Sequence, residues 1–193
     1  MGCCYAKCYR SISHCYLKYI KKQYSELLGI ALVICRNHEG KWLAVREINN
    51  GGWWVPGGLV DPPETYFEAA IREAKEEAGI DVELKGILRL EYSVKKNSNH
   101  QRMRVVFYAE PKYRDQETKS VPDKESEEAK WVTLEQLLQL KDIEPGWRGR
   151  ELYEWGKYVE DGGTIYPLEM LAREGSRVPR NSDNASGLRK AVI

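Results

Sequence analysis

The sequence of 193 residues lacks a surplus of charge of either sign, because 30 Lys and Arg residues balance 29 Asp and Glu residues. A nucleic-acid-binding protein usually carries a positive excess, so we expect no nucleic-acid partner. The chain also lacks an apolar run long enough to cross a bilayer. Its first residues lack the continuous apolar stretch of a cleavable signal peptide. These absences favour a cytoplasmic location.

Cysteine is scarce and unevenly placed. The chain has five cysteines, and one of them, Cys35, lies in a predicted core strand. This distribution argues against a complete disulfide framework and favours a reducing compartment. A metal knuckle near the N-terminus is an alternative with poor spacing, because paired C-x2-C units are absent. Its ligands would be Cys3, Cys4, Cys8, His14 and Cys15.

The composition predicts one domain with tails. A hydrophobic fraction of 42% is ample for one core, and two domains would each be small in a chain of this length. Residues 1–24 form a basic segment that is rich in Cys and Tyr and has no carboxylate. We expect the domain over residues 25–172. Residues 173–193 have few large apolar side chains and predict a disordered tail.

Short apolar runs that are separated by turn residues predict several strands. Residues 28–34 and 41–45 flank a turn signal at residues 37–40, which favours a hairpin. Residues 53–55 predict a third strand, and Pro-Gly-Gly at residues 56–58 predicts a tight turn. Further strands are predicted, in chain order, at 82–94, 104–110 and 129–132, with polar loops at 95–101 and 111–128.

Three helices follow from capping and periodicity. Residues 65–78 predict a helix that ends at Gly79, which fits a left-handed C-cap. Its core face would hold Phe67, Ala70, Ile71, Ala74 and Ala78. Thr133 and Gln136 form a capping-box pattern that opens a second helix through residue 140. A third helix is predicted from the apolar stripe of Leu152, Trp155 and Val159, and it ends at Gly162 and Gly163.

The opposite face of the first helix carries an unusual set of charges. Glu73, Glu76 and Glu77 lie at positions i, i+3 and i+4. Like charges at this spacing repel one another and attract a cation. Oxygen ligands suit a hard ion, so we expect Mg²⁺, with Mn²⁺ as the alternative. The competing explanation is a solvated face that is stabilised by charge pairs with Arg72 and Lys75.

The helix and the preceding turn form one longer pattern. Gly58 is followed by five residues and Glu64, and then by seven residues and the run Arg-Glu-Ala-Lys-Glu-Glu-Ala-Gly-Ile at 72–80. This pattern resembles the Nudix box at every defining position. Residues 54–58, Trp-Val-Pro-Gly-Gly, are similar to the strand and turn that precede the box, and the resemblance covers residues 28–140.

The resemblance implies the α/β class, with a Nudix-type α/β/α sandwich around a mixed β-sheet. It also implies hydrolysis of a phosphoanhydride bond in a small diphosphate-containing molecule, which needs a positioned water and neutralised phosphate oxygens. Our first expectation is a nucleoside diphosphate derivative or a nucleoside di- or triphosphate. A silent nucleotide-binding or regulatory module is an alternative, although the intact glutamate cluster counts against it. A diphosphoinositol-phosphate hydrolase is also open.

The box residues acquire expected roles. Glu76 and Glu77 are the first candidates for metal ligands, and the resemblance adds the backbone carbonyl of Gly57 and the carboxylate of Glu73. Glu73 would also help to deprotonate the attacking water. We therefore expect the catalytic set to comprise Arg72, Glu73, Glu76 and Glu77.

Arg72, a member of this set, and one residue outside it would support the metal site. Arg72 suits a bidentate pair with a carboxylate such as Glu64 or Glu73, which would fix ligand geometry, and a purely structural role is the alternative. A separate acidic loop approaches the metals in several Nudix enzymes, and residues 123–128 are the candidate here. Glu125 is the first choice as a metal ligand, while an ordinary solvated loop would explain the same residues.

Substrate contacts are predicted from arginines and one tryptophan on the strands. Arg46, Trp53, Arg102 and Arg104 could supply charge or stacking to a nucleotide. The alternatives are a core position for the tryptophan and solvent-facing arginines. A diphosphoinositol phosphate would need a strongly basic rim, for which Arg102, Arg104 and residues 95–96 are candidates. The sequence does not indicate an oligomeric state.

The N-terminus predicts contact with a membrane surface. Gly2, Cys3 and Cys4 resemble an N-myristoylation start with adjacent palmitoylation sites, although Ala6 stands where Ser or Thr is expected. Basic residues in this segment would favour an anionic lipid surface. The alternatives are a disordered leader or a short basic helix that packs on the domain through Ile12, Tyr16, Tyr19 and Ile20.

Overall fold

The computed structural model of the chain describes residues 26–94 and 100–177. The seven strands of this part are β1 (Glu26–Cys35), β2 (Trp42–Glu47), β3 (Gly52–Trp54), β4 (Gly57–Leu59), β5 (Val82–Val94), β6 (His100–Pro111) and β7 (Ser126–Val132). The helices are α1 (Tyr66–Ala78), α2 (Leu134–Lys141), α3 (Glu151–Glu160) and a 3-10 turn at Leu168–Met170.

Two sheets form the centre of the fold. The four-stranded sheet has the order β4-β1-β6-β5, in which β1 and β6 are parallel and the other pairs are antiparallel. The antiparallel three-stranded sheet has the order β3-β2-β7. The predicted mixed sheet is thus confirmed.

The predicted hairpin of β1 and β2 is wrong. The two strands belong to different sheets, and an isolated bridge joins Arg36, the residue after β1, to Trp42. Both edges of β2 are occupied by β3 and β7, so β1 pairs instead with β4 and β6. The turn at residues 37–40 is present but does not determine which strand pairs with which.

Helices lie on both faces of the four-stranded sheet. Ala31 and Val33 of β1 are buried in one core with Ala70 and Ala74 of α1. Leu32, on the other face of β1, is buried in a second core with residues of α2 and α3, including Leu137 and Leu152. A strand that is buried on both faces reads as a continuous apolar run, which explains why β1 shows no alternation.

Helix α1 begins and ends where its local signals predict. Thr65 is the N-cap and forms a capping box with Glu68, and Gly79 is a left-handed C-cap at φ 75°. Thr133 caps α2 in the same way, with Gln136. The capping signals could be read locally because each joins residues that are three apart.

The predicted turn at residues 56–58 contains a short strand instead. Gly57–Leu59 pairs antiparallel with β1 at the edge of the sheet. Gly57 has a φ of 153°, and a Cβ there would lie 2.3 Å from the carbonyl oxygen of Ala31. Only glycine permits this close approach. Strand β6 is also longer than predicted, since it begins at His100 within the predicted polar loop.

Several predictions lie outside the described residues. They include the basic segment with the lipidation candidates Gly2, Cys3 and Cys4, residues 95–96 of the basic rim, and residues 178–193 of the predicted tail. Within residues 26–94 and 100–177, none of the helices combines the length and the apolar character that a membrane crossing requires.

Candidate active site

Arg72 is the centre of the polar network on α1. Its guanidinium donates two hydrogen bonds to Glu64, from Nε to Oε2 at 3.0 Å and from Nη2 to Oε1 at 2.6 Å. Nη1 donates to Glu73 at 2.8 Å and to Glu76 at 3.0 Å. Nη2 also donates to the backbone carbonyl of Leu59 at 3.0 Å. The expected bidentate pair is present with Glu64, and the same side chain also orients two carboxylates of the box.

Glu73 lies beneath the glycine turn. Only 7% of its surface is exposed, so the alternative of an ordinary solvated face does not describe Glu73. A Cβ at Gly58 would lie 2.4 Å from Oε1 of Glu73, so the turn accommodates this carboxylate because residue 58 has no side chain. Burial raises the pKa of Glu73, Arg72 opposes that shift, and the nearby charges of Glu76 and Glu125 add to it.

Glu77 is fixed at both ends. The backbone N–H of Gly57 donates to its Oε2 at 2.8 Å, and the hydroxyl of Ser126 donates to its backbone carbonyl at 2.6 Å. Burial raises the pKa of Glu77 to about 8, with further contributions from the charges of Glu73, Glu47 and Glu125, while the hydrogen bond from Gly57 lowers it. The carboxylate thus lies in a negative and poorly hydrated environment.

The acidic loop is held against α1. Lys119 donates to the backbone carbonyl of Glu76 at 2.9 Å and forms an ion pair with Asp123 at 2.5 Å. Asp123 in turn accepts a hydrogen bond from the backbone N–H of Glu125 at 2.8 Å. Lys119 and the backbone N–H groups of Glu125 and Ser126 lower the pKa of Asp123 to about 2. The charge of Glu125 is a minor contribution to the raised pKa of both Glu73 and Glu77.

Glu47 is a residue of the cluster that the sequence did not indicate. It ends β2 and pairs in register with Ser126 of β7, which contacts the end of α1 at Glu77. Its charge contributes to the raised pKa of Glu77. No local signal could have identified it, because its position depends on the register between β2 and β7.

The carboxylates offer the oxygen ligands that a hard divalent cation prefers, but the described residues do not arrange them as a complete coordination site. In the described part of the chain, no three His, Cys, Asp or Glu side chains converge closely enough to form a metal site. Arg72 and the N–H of Gly57 hold the carboxylates in their observed positions. The donors are oxygens only, and several like charges surround the half-buried Glu77. Such a set suits Mg²⁺, which neutralises the repulsion and accepts oxygen ligands.

Two substrate candidates on β2 and β3 are engaged elsewhere. Trp53 is only 4% exposed, and Lys130 Nζ lies 5.1 Å from its ring centroid. The expectation that its ring stacks on a nucleotide is therefore corrected, because the ring packs in the second core. Arg46, the register partner of Trp53, forms ion pairs with Glu127 at 2.8 Å and with Glu128 at 3.4 Å.

The other two candidates lie together on β6. Arg102 and Arg104 line a surface cavity of about 530 Å³ beside the end of β5. Arg104 donates to Glu91 from Nε at 2.7 Å and lies 3.7 Å from a carboxylate oxygen of Glu151. Arg102 is exposed. The structure thus places these arginines on one surface, with part of the charge of Arg104 neutralised.

Comparisons with known proteins match this chain to one family. The family model described as NUDIX domain matches residues 27–155. Phosphatase NudJ of Escherichia coli is 31% identical over 143 residues, which cover 72% of this chain and 88% of that protein. The human 8-oxo-dGDP phosphatase NUDT18 is 31% identical over 120 residues, which cover 59% of this chain. The match spans only 36% of the length of the human protein.

A solved structure has the same fold. The NUDIX hydrolase from Nitrosomonas europaea superposes with a TM-score of 0.60 at 19% identity. The match covers 78% of this chain and 100% of that one. At this identity the likeness concerns the fold alone, which agrees with the sheets and helices described above.

Proposed function

The chain belongs to the Nudix hydrolase family, and from that premise we propose that it hydrolyses a phosphoanhydride bond with Mg²⁺ as its cofactor. The substrate we propose is a nucleoside diphosphate derivative or a nucleoside di- or triphosphate. One observation carries the proposal. Arg72 holds Glu73 and Glu76, the N–H of Gly57 holds Glu77 against the glycine turn, and burial together with like charges raises the pKa of Glu77 to about 8.

The chain supplies the ligands and their support. Glu73, Glu76, Glu77 and Glu125 would hold the metal, together with the carbonyl of Gly57. When bound, the cation would neutralise phosphate oxygens and lower the pKa of a water molecule. Arg72 keeps Glu73 and Glu76 in fixed positions through its Nη1 donor, which is the usual task of a residue behind the ligands.

Glu73 is suited to receive the proton of the attacking water. Its Oε1 accepts a hydrogen bond from Arg72, so Oε2 is the oxygen that we assign to the proton. Burial raises the pKa of this carboxyl, and a raised pKa brings a carboxylate closer to the range in which general bases operate. The glycine turn lies directly against this carboxylate and contributes to its burial.

The nucleotide class is supported by relatives. The human relative is named as a phosphatase of 8-oxo-dGDP, a nucleoside diphosphate, and the bacterial relative is named as a phosphatase. The cavity beside β5 and β6 carries Arg102 and Arg104, which suit the negative charge of such a compound.

A substrate screen tests the proposal. Nucleoside di- and triphosphates, nucleotide sugars, dinucleotides and diphosphoinositol phosphates are incubated with Mg²⁺ and wild-type protein, Glu77→Gln or Glu154→Gln. Glu154 is an exposed glutamate of α3 and serves as the matched control. We expect turnover of a nucleotide by the wild type and the control, and loss of turnover in Glu77→Gln. Equal turnover by Glu77→Gln, or none by the wild type, contradicts the proposal.

A further inference from the structure

Arg148 lies between the carboxylate cluster and an aromatic ring. Its guanidinium carbon is 4.0 Å from the ring centroid of Trp54. On its other side, Nη1 donates to Oε1 of Glu47. Glu47 is directly opposite Ser126, whose hydroxyl contacts the backbone of Glu77. A continuous set of contacts therefore connects this arginine with the end of the glutamate helix.

The backbone fixes Arg148 in this position. The N–H of Arg148 donates to the carbonyl of Trp53 at 3.1 Å, and the N–H of Trp53 donates to the carbonyl of Gly146 at 2.9 Å. Residues 146–148 thus extend the edge of the three-stranded sheet beside β3. A Cβ at Gly52 would lie 2.5 Å from the backbone nitrogen of Arg148, so this approach requires glycine. The arginine is consequently placed by main-chain contacts.

Arg148 has fewer carboxylate partners than the other arginines near the site. Arg72 contacts three carboxylates, Arg46 pairs with two and Arg104 with two. Among the residues that the structure describes, the carboxylate paired with Arg148 is Glu47 alone, through Nη1. The side chain is also 46% exposed, which is more than for the other three. The side chain of Arg148 thus combines a single carboxylate partner with partial exposure to solvent.

A stacked guanidinium suits a phosphate group. Stacking on Trp54 restrains the plane of the Arg148 guanidinium. The N–H donors at the edge of the guanidinium keep the fork geometry that matches phosphate oxygens. The ion pair with Glu47 restrains rotation in that plane. Less rotamer entropy is lost when a side chain that is already restrained binds its ligand.

From these contacts, and resting on the proposed function, we infer that Arg148 binds a phosphate group of the substrate while Trp54 and Glu47 position it. Arg148 thereby contributes to substrate affinity and to specificity for diphosphate compounds. Phosphate bound there would lie on the side of the glutamate helix, because Glu47 contacts the guanidinium and pairs in register with Ser126, whose hydroxyl contacts the backbone of Glu77.

Binding of methylenediphosphonate, a diphosphate analogue that cannot be hydrolysed, tests the inference without any turnover. Titration calorimetry with Mg²⁺ present would compare wild type, Arg148→Met, Arg148→Lys and Arg150→Ala. Met retains an unbranched chain over Trp54 and removes the charge, Lys retains the charge without the planar fork, and Arg150 is an exposed neighbour that pairs with Glu154. We expect Arg148→Met to weaken binding about tenfold to 100-fold, with Lys intermediate and Arg150→Ala unchanged.

Kinetics on the nucleotide that emerges from the substrate screen separate binding from structural roles. For Arg148→Met we expect KM to rise while kcat and Tm stay close to wild type, because a residue that only supports the fold would lower Tm and kcat. Unchanged methylenediphosphonate affinity in Arg148→Met, or no binding by the wild type, overturns the inference. Binding that depends on Arg148 without turnover of any nucleotide contradicts the proposed function and leaves the inference supported.

Discussion

Arg72 contacts Glu64, Glu73 and Glu76 and the carbonyl of Leu59 at the same time. Its carboxylate partners hold its pKa above the usual range, so it is charged at any pH at which the protein folds. A solvated charge-paired helix would not need an arginine that is 28% exposed and bonded to a backbone carbonyl of a separate strand. The contacts therefore favour an organised site over an ordinary polar face.

Gly58 is a direct test of the space around Glu73. In Gly58→Ala the new Cβ would lie 2.4 Å from Oε1 of Glu73, so the carboxylate must move and its bond to Arg72 is strained. We expect kcat to fall about tenfold to 100-fold, as when a residue that orients metal ligands is lost. Steady-state kinetics would measure this. Leu59→Ala is the control, since the side chain of Leu59 is exposed. An unchanged kcat in Gly58→Ala would show that the contact between Gly58 and Glu73 does not position this carboxylate.

The raised pKa of Glu77 predicts that the stability of the metal-free protein depends on pH, which can be measured in the presence of a chelator. Its pKa rises from 4.5 to about 8 on folding, so the folded protein binds this proton more tightly than the unfolded chain between those values. The contribution to stability is fully present below about pH 4.5 and is lost as the pH rises through about 8. We therefore expect the Tm of the wild type to fall from pH 6 to pH 8.5.

Glu77→Gln removes the titrating group and is the comparison for this prediction. Its Tm should fall less over the same pH interval, as measured by calorimetry with EDTA. Identical pH profiles for the two proteins would mean that burial and like charges do not act on Glu77 as described.

At the scale of elements, the two capped helices allow a matched comparison. Thr65 caps α1 and Thr133 caps α2, each with a capping box. Thr65→Ala and Thr133→Ala should each cost about 1 kcal/mol, or about 2–4 °C in Tm. Only Thr65→Ala should also reduce kcat, because α1 carries Glu73 and Glu77 and α2 carries no site residue. Equal effects of the two substitutions on kcat would contradict the placement of the site on α1.

The elements that the sequence predicted well are those with local signals. The bounds of α1 follow from Thr65, Glu68 and Gly79, which lie within the helix or next to it. The hairpin of β1 and β2 was wrong because strand pairing is a long-range property, and the apolar runs of both strands fit several partners. The position of Glu47 could not be predicted for the same reason, because it is set by the register between β2 and β7.

Burial explains the remaining differences. Trp53 was a candidate for stacking on a nucleotide because strand position alone does not tell which faces of a short strand are covered. All three residues of β3 are buried in the fold. Glu73 was placed on a polar face, although the glycine turn covers it, and that contact joins residues 15 apart in the chain.

The whole molecule brings distant parts of the chain to one place. Gly57 from β4 donates to Glu77 of α1, and Ser126 of β7 links the same residue to Glu47 of β2. The charges of Glu47 and of Glu125 from the acidic loop both contribute to the raised pKa of Glu77. All of them lie within the residues that match the family model, as does Arg148. The two sheets thus serve as the frame that assembles the candidate site, while Arg102 and Arg104 line the surface cavity beside β5 and β6.

The dependence of turnover on Mg²⁺ tests whether the glutamates of α1 hold a catalytic metal. Initial rates on the best nucleotide of the screen would be measured after EDTA treatment and during titration with Mg²⁺, for the wild type, Glu77→Gln and Glu154→Gln. We expect no turnover with EDTA, restoration by Mg²⁺ in the wild type and the control, and at least a 100-fold lower rate in Glu77→Gln. Turnover that persists in EDTA, or full restoration of Glu77→Gln by Mg²⁺, would contradict this role of the glutamates.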